Sequence, residues 1–174
     1  MGGNGRQKAK VGVLSDTHGF LDPQIFQVFD DCDEIWHAGD WGTYDIYADL
    51  SAWKPGKVRG VFGNVDGWDL RRELPEDNFF VFCGMKILIT HIGGEPGRYS
   101  GRILPFIKGG RIDMLVCGHT HILKVVKDRT YNLWYINPGA AGTVGPHRVR
   151  TALKLHFSQE RGFYHAEAVE FGPR

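Results

Sequence analysis

Val11-Gly12-Val13-Leu14-Ser15-Asp16-Thr17-His18-Gly19 is an apolar run that stops abruptly in a short polar cluster. A run of this length, with two β-branched residues, reads as a buried strand. The chain after it repeats the pattern. Asp22-Pro23 predicts a helix start, Asp as N-cap and Pro in the first turn, and Ile25, Phe26, Val28 and Phe29 supply an apolar face. Glu34 to Ala38 reads as a second strand, Thr43 to Trp53 as a second helix stopped by Lys54-Pro55-Gly56, and Val58 to Phe62 as a third strand. Strands alternating with helices predict parallel βαβ units.

The second half is richer in strands. Phe79–Phe82 and Met85–Thr90 flank Cys83-Gly84 as a hairpin. Gly101 to Lys108 reads as a helix broken by Pro105, and Asp113–Cys117, Ile122–Lys127 and Leu133–Ile136 read as strands. Ala152–Phe157 and Phe163–Phe171 read as a closing antiparallel hairpin. One sheet could hardly hold so many strands in 174 residues, so the expected architecture is α/β, with two packed sheets and helices outside.

The polar residues sit where the strands end. Leu14 is followed by Ser-Asp16-Thr-His18, Ala38 by Gly-Asp40, Phe62 by Gly-Asn64-Val-Asp66, Ile89 by Thr-His91, and Cys117 by Gly-His119-Thr-His121. In open α/β sheets ligands bind just beyond the carboxyl ends of the strands, so five such clusters are expected to share one rim. In extended backbone the i and i+2 members of Asp16-x-His18 and His119-x-His121 would point to one side. Gly39, Gly63 and Gly118 would let the chain turn without a Cβ clash.

The donor set is carboxylates, imidazoles and one amide, without a thiolate. Such nitrogen and oxygen sites suit Mn²⁺, Fe, Zn²⁺, Mg²⁺ or Co²⁺. Seven donors exceed what one tetrahedral ion takes and match two ions sharing a carboxylate. Paired ions about 3.5–4 Å apart serve in-line displacement at phosphorus.

These blocks, Asp16-x-His18, Gly39-Asp40, Gly63-Asn64-x-Asp66, His91 and Gly118-His119-x-His121, resemble those of the calcineurin-like metallophosphoesterase superfamily over roughly residues 10 to 142. Asn137-Pro138-Gly139-Ala140 resembles the Asn-Pro-Gly-Ser block of its small bacterial and archaeal phosphodiesterase branch. The resemblance implies a four-layer α/β/β/α sandwich of two mixed sheets with flanking helices. It implies a first metal on Asp16, His18, Asp40 and His121, and a second on Asp40, Asn64, His91 and His119, with Asp40 bridging. Asp40, Asn64 and His91 become the catalytic residues. The implied activity is metal-dependent phosphodiester hydrolysis by a metal-activated hydroxide. The expected cofactor is two divalent ions, manganese first, with Fe, Zn, Ni, Co or Mg as alternatives. The chain departs from the superfamily pattern at Val65, where a histidine usually serves as leaving-group acid, and after His91, where Ile-Gly-Gly replaces Gly-His.

Around this set, Asn64 and Arg148 are the candidate substrate contacts, Arg148 as a clamp on a phosphate oxygen. Trp41, Trp68 and Tyr99 are candidates for stacking on a base or aryl group. Asp66 is a candidate to orient a ligand. His147, His156 and His165 have no cluster around them in the sequence and read as structural or exposed residues. Rival readings are a phosphomonoesterase on the same site, a non-catalytic scaffold of the same fold, and a structural zinc module, which the lack of cysteine ligands disfavours.

Bulk properties frame these readings. A formal net charge of +1 sets up no field for nucleic acid or anionic membranes, so a small phosphodiester is the expected partner and nucleic acid enters only as a substrate. Nothing indicates an oligomer. Three cysteines in apolar surroundings read as buried hydrophobes in a reducing compartment. No apolar run reaches the ~18–20 residues of a membrane span, and the Gly-rich, basic start lacks a signal-peptide core. The expectation is one cytoplasmic domain over residues 1–174 with a flexible leader over residues 1–9.

Overall fold

The computed structural model describes residues 8–174. The expected leader therefore lies outside the described residues up to residue 7, and Lys8 and Ala9 already belong to the first strand, β1 (Lys8–Leu14). Helix α1 (Gln24–Val28), β2 (Glu34–His37), α2 (Tyr44–Trp53) and β3 (Val58–Gly60) come next, in the expected order. Asp22 holds the start of α1 through its Oδ1, which accepts the Gln24 N–H at 2.9 Å.

A short helix unmarked in the sequence, α3 (Trp68–Glu73), succeeds them. It buries only Leu70, too little to leave a periodic signature. Strands β4 (Asp77–Phe82) and β5 (Met85–Thr90) form the predicted hairpin, and Cys83 (φ 47°) and Gly84 (φ 76°) both turn through positive φ, as a type I′ turn requires. Two-residue strands β6 (Gly94–Glu95) and β7 (Arg98–Tyr99) pair as a small ribbon. In α4 (Leu104–Lys108) Pro105 occupies the first turn. There its missing N–H costs nothing, so Pro105 opens this helix where the sequence suggested a break. Strands β8 (Met114–Val116), β9 (Leu123–Asp128), β10 (Leu133–Pro138), β11 (Val149–Ser158) and β12 (Gly162–Pro173) complete the chain.

The strands form two five-stranded mixed sheets, ordered β12-β11-β1-β2-β3 and β4-β5-β8-β10-β9. Val11, Val13, Trp36, Leu153, Leu155 and Phe157 of the first pack against Ile87, Ile89, Met114, Val116 and Ile136 of the second. The outer face of the first sheet is covered by Ile25, Phe29, Ile46, Leu50 and Leu70 of the helical segments, and that of the second by Ile103 and Ile107. These are the four expected layers, helices, sheet, sheet, helix.

Within the first sheet β1, β2 and β3 are parallel, and within the second β5, β8 and β10 are parallel. Their carboxyl ends meet on one rim of the sandwich, and every expected cluster comes directly after one of them. Among the described residues no helix is long and apolar enough to cross a membrane.

Candidate metal centre

The polar cluster begins with a carboxylate held at one end and free at the other. Asp16 is fully buried. Its Oδ2 accepts the Ser15 hydroxyl at 2.6 Å and the His119 N–H at 3.0 Å. Its Oδ1 is buried without a hydrogen-bond partner and faces three imidazoles: Nε2 of His121 at 3.1 Å, of His18 at 3.8 Å and of His91 at 4.0 Å. An orphaned buried carboxylate oxygen is costly unless something positive completes it.

Asp40 is arranged alike. Its Oδ1 accepts the Val65 N–H at 3.0 Å, while Oδ2 lies 3.2 Å from His91 Nε2 and 3.9 Å from His18 Nε2. Asn64 Oδ1 stands 3.1 Å from His91 Nε2 and 3.0 Å from His119 Nδ1. All seven side chains named from the sequence therefore come together. Two overlapping groups have the spacing to hold an ion, Asp16-His18-His121 and Asp16-Asp40-His91.

The imidazole tautomers are fixed from behind. His91 Nδ1 lies 2.7 Å from the Ala38 carbonyl, which only accepts, so Nδ1 carries the proton and Nε2 turns to the cluster. Burial lowers the affinity of His91 for a proton, yet Asp40 and Asp16 outweigh it and its pKa lies above the ordinary value. The pocket favours positive charge, as a divalent-ion site must. His121 is fixed through a second histidine. His147 Nε2 is 2.9 Å from the Gly142 carbonyl and must donate to it, so its Nδ1 accepts from His121 Nδ1 at 3.1 Å. In neutral rings this leaves His121 Nε2 unprotonated opposite Asp16. Burial holds the His147 pKa below its ordinary value, in keeping with a neutral ring. His147 thus has a cluster around it, contrary to the sequence expectation, and no spacing rule connects it to His121 26 residues earlier.

The backbone beneath the site is not extended as expected. Asp16 (φ 53°), His18 (47°), Asp40 (56°), His119 (68°) and His121 (59°) all adopt left-handed conformations rare for residues other than glycine. Such strain persists only where the surroundings over-determine it. Of Gly39, Gly63 and Gly118 only Gly39 turns through positive φ, at 95°. Gly63 and Gly118 are needed for space, since a Cβ would collide with the Asp40 carboxylate at the first and the Ser15 hydroxyl at the second.

Asp66 does not orient an imidazole. Its two oxygens accept the N–H groups of Gly42 (2.9 Å) and Gly63 (2.7 Å), tying the Asp40 loop to the Asn64 loop. Trp41 is fully buried, stacked on His37 at 3.6 Å and donating to the Val61 carbonyl. Tyr99 is buried with its hydroxyl on Asp128. Neither can stack on a ligand, whereas Trp68 is 73% exposed. Arg148 is exposed and, among the described residues, no hydrogen bond or ion pair joins its guanidinium to the cluster. Cys32 and Cys117 are buried free thiols, and Cys83 is half-buried at its turn.

A cavity of about 450 Å³ adjoins the cluster, lined by Asn64, His91, Ile92, Arg71 and Arg102 among others. Neither arginine stood out in the sequence. Arg71 donates to the carbonyls of Asp66 and Gly63 and stacks over Phe62, while Arg102 pairs with Asp77 and donates to Thr90.

A family model described as the calcineurin-like phosphoesterase superfamily domain matches residues 9–160. A phosphodiesterase of Methanocaldococcus jannaschii is 29% identical over 149 residues, spanning 75% of this chain and 82% of that protein. Among solved structures, an archaeal phosphodiesterase superposes with a TM-score of 0.71 at 22% identity, covering 93% of this chain and 99% of that one. Vacuolar protein sorting 29 of Cryptosporidium parvum superposes with a TM-score of 0.71 at 18% identity, covering 95% and 98%. At such identities the structural matches speak for the fold.

Proposed function

The chain belongs to the calcineurin-like phosphoesterase superfamily, and from that premise we propose that it is a metal-dependent phosphodiesterase working through a dinuclear centre. The observation that carries the reading is the buried, unpartnered Asp16 Oδ1 amid three imidazole nitrogens, with Asp40, Asn64 and His119 completing the ring. In this reading Asp16, His18, Asp40 and His121 hold one ion, and Asp40, Asn64, His91 and His119 the other. When bound, two divalent ions supply a nucleophile from water near neutral pH and neutralise charge on the phosphoryl oxygens.

The chain's own residues do the rest. The Val65 N–H pins Asp40 Oδ1, which holds the carboxylate with Oδ2 turned between His18 and His91. The Ala38 carbonyl and His147 keep His91 and His121 in the tautomers that present Nε2. Arg71 grips the carbonyls of the Asn64 loop and fixes where the Asn64 amide stands.

A diester is favoured over a monoester by charge. A phosphomonoester is largely dianionic at neutral pH, and its second charge calls for a free cation. Of the two guanidiniums lining the adjoining cavity, Arg102 has its charge offset by Asp77, and Arg71 spends Nε and one terminal nitrogen on backbone carbonyls, so only the other terminal nitrogen of Arg71 is left to meet that second charge. The test is a panel of nitrophenyl mono- and diesters, each assayed with Mn²⁺, Zn²⁺, Ni²⁺, Co²⁺ and Mg²⁺. The reading expects bis-p-nitrophenyl phosphate to exceed p-nitrophenyl phosphate in kcat/KM by tenfold or more, and the reverse order would select the monoesterase. The scaffold reading expects no turnover of either.

A further inference from the structure

Away from that centre, the β11–β12 hairpin carries another set of metal-capable side chains. His156 and His165 are cross-strand partners in the register, and Glu167 lies two residues beyond His165, on the same face of the strand. The register skips Tyr164, a bulge of the kind that re-aims a side chain. The result is a donor from each residue, all within 4.8 Å of one another.

The charges around the set leave it available. Lys154 is the cross-strand partner of Glu167 and would ordinarily take its carboxylate. Instead Lys154 Nζ is held by Asp31 at 2.7 Å, and Lys10, which pairs with His156 across β1, reaches the same Asp31 at 2.5 Å. Glu167 turns to the imidazoles. Its Oε1 lies 2.6 Å from His156 Nε2 and 3.9 Å from His165 Nε2. The shorter approach is off the line a ring N–H needs, for His156 Nε2 is buried without a hydrogen-bond partner. Donors sharing one zinc ion at 2.0–2.2 Å lie roughly 3–3.5 Å apart, and the two separations bracket that value.

We propose that His156, His165 and Glu167 form a separate surface site for a divalent transition ion, clamping β12 to β11. Two imidazoles and a carboxylate select Zn²⁺, Ni²⁺, Cu²⁺ or Co²⁺ over Mg²⁺ or Ca²⁺. The side chains of His165 and Glu167 are 55% and 48% exposed, so the ion exchanges with solvent and its remaining positions hold water.

The test compares the chelator-stripped wild type with the double variant His165→Ala/Glu167→Gln by equilibrium dialysis against Zn²⁺ and elemental analysis. The wild type should retain one more ion per chain than the variant, whatever number the phosphoesterase centre holds, with no difference in Mg²⁺. In the wild type, Zn²⁺ should also shift the ring C–H resonances of His156 and His165. Equal zinc content in the two proteins, or unmoved resonances, would reduce the cluster to an ion pair and overturn the proposal.

Discussion

The smallest features of the site make the sharpest demands. His147 touches no candidate metal position, yet it decides which nitrogen of His121 carries the proton. Partners of this kind typically contribute about 10–100-fold in metal affinity when removed. His147→Ala should weaken Mn²⁺ or Zn²⁺ binding by that factor, and His147→Gln should recover part of it by offering an acceptor to His121 Nδ1. Unchanged affinity in the alanine variant, measured by competition with a chelating dye, would refute the relay. Val65 makes a different demand. It is 52% exposed beside Asn64, at the position where the superfamily pattern has its leaving-group acid. A positioned acid contributes ~10²–10⁴-fold, most where the leaving group is a poor one. The wild type should therefore show a steep dependence of log kcat/KM on leaving-group pKa, which Val65→His should flatten. Since both oxygens of Asp66 are taken by backbone N–H groups, the new imidazole would have to act without that carboxylate's support. A shallow wild-type slope would mean that some other group already delivers the proton.

At the scale of the element, the strand ends do the positioning. The clusters were legible in the sequence because each comes after an apolar run, and the strand and the polar stop report each other. Their conformation was not legible. Asp16, His18, Asp40, His119 and His121 take positive φ, which composition announces only for glycine. Partnerships across elements were equally hidden. His147 meets His121, and His156 meets His165, only once loops and register are set. Near the end of β2 one residue ties loop geometry to acid stability. His37 accepts the Gly39 N–H at Nδ1 (3.1 Å) and meets Thr17 Oγ1 at Nε2 (3.0 Å), so it is neutral, and burial pushes its pKa down to about 3 from 6.5. Between those values the unfolded chain binds the proton and the folded chain does not. Stability contributed by the neutral ring is thus complete above about pH 6.5 and is lost as pH falls toward 3, at up to about 1.4 kcal/mol per pH unit. Urea midpoints measured from pH 7 to pH 4 should fall more steeply for the wild type than for His37→Asn. Parallel curves would show that His37 titrates normally in the fold.

The whole molecule explains why seven residues scattered from Asp16 to His121 can act together. Two mixed sheets each contribute parallel strands that end on the same rim, and a core of Val13, Trp36, Ile89, Val116 and Leu153 locks one sheet on the other. Neither sheet alone carries the full set. Asp16, His18, Asp40 and Asn64 come after strands of the first, and His91, His119 and His121 after strands of the second. The layer count was legible, since so many strands demand two sheets, but the mixed strand order of each sheet had no local sequence signature. Asp40 spans the junction, with its Oδ2 facing His18 on one side and His91 on the other. Asp40→Asn should lower metal content at both positions and reduce kcat by several orders of magnitude, while His18→Ala should be milder and partly rescued by added metal. If the converged side chains work only by holding divalent ions, chelation must silence them. Protein stripped with EDTA and shown by elemental analysis to be metal-free should not hydrolyse bis-p-nitrophenyl phosphate, and Mn²⁺ should restore the activity; full turnover by the metal-free protein would rule out a metal-dependent site.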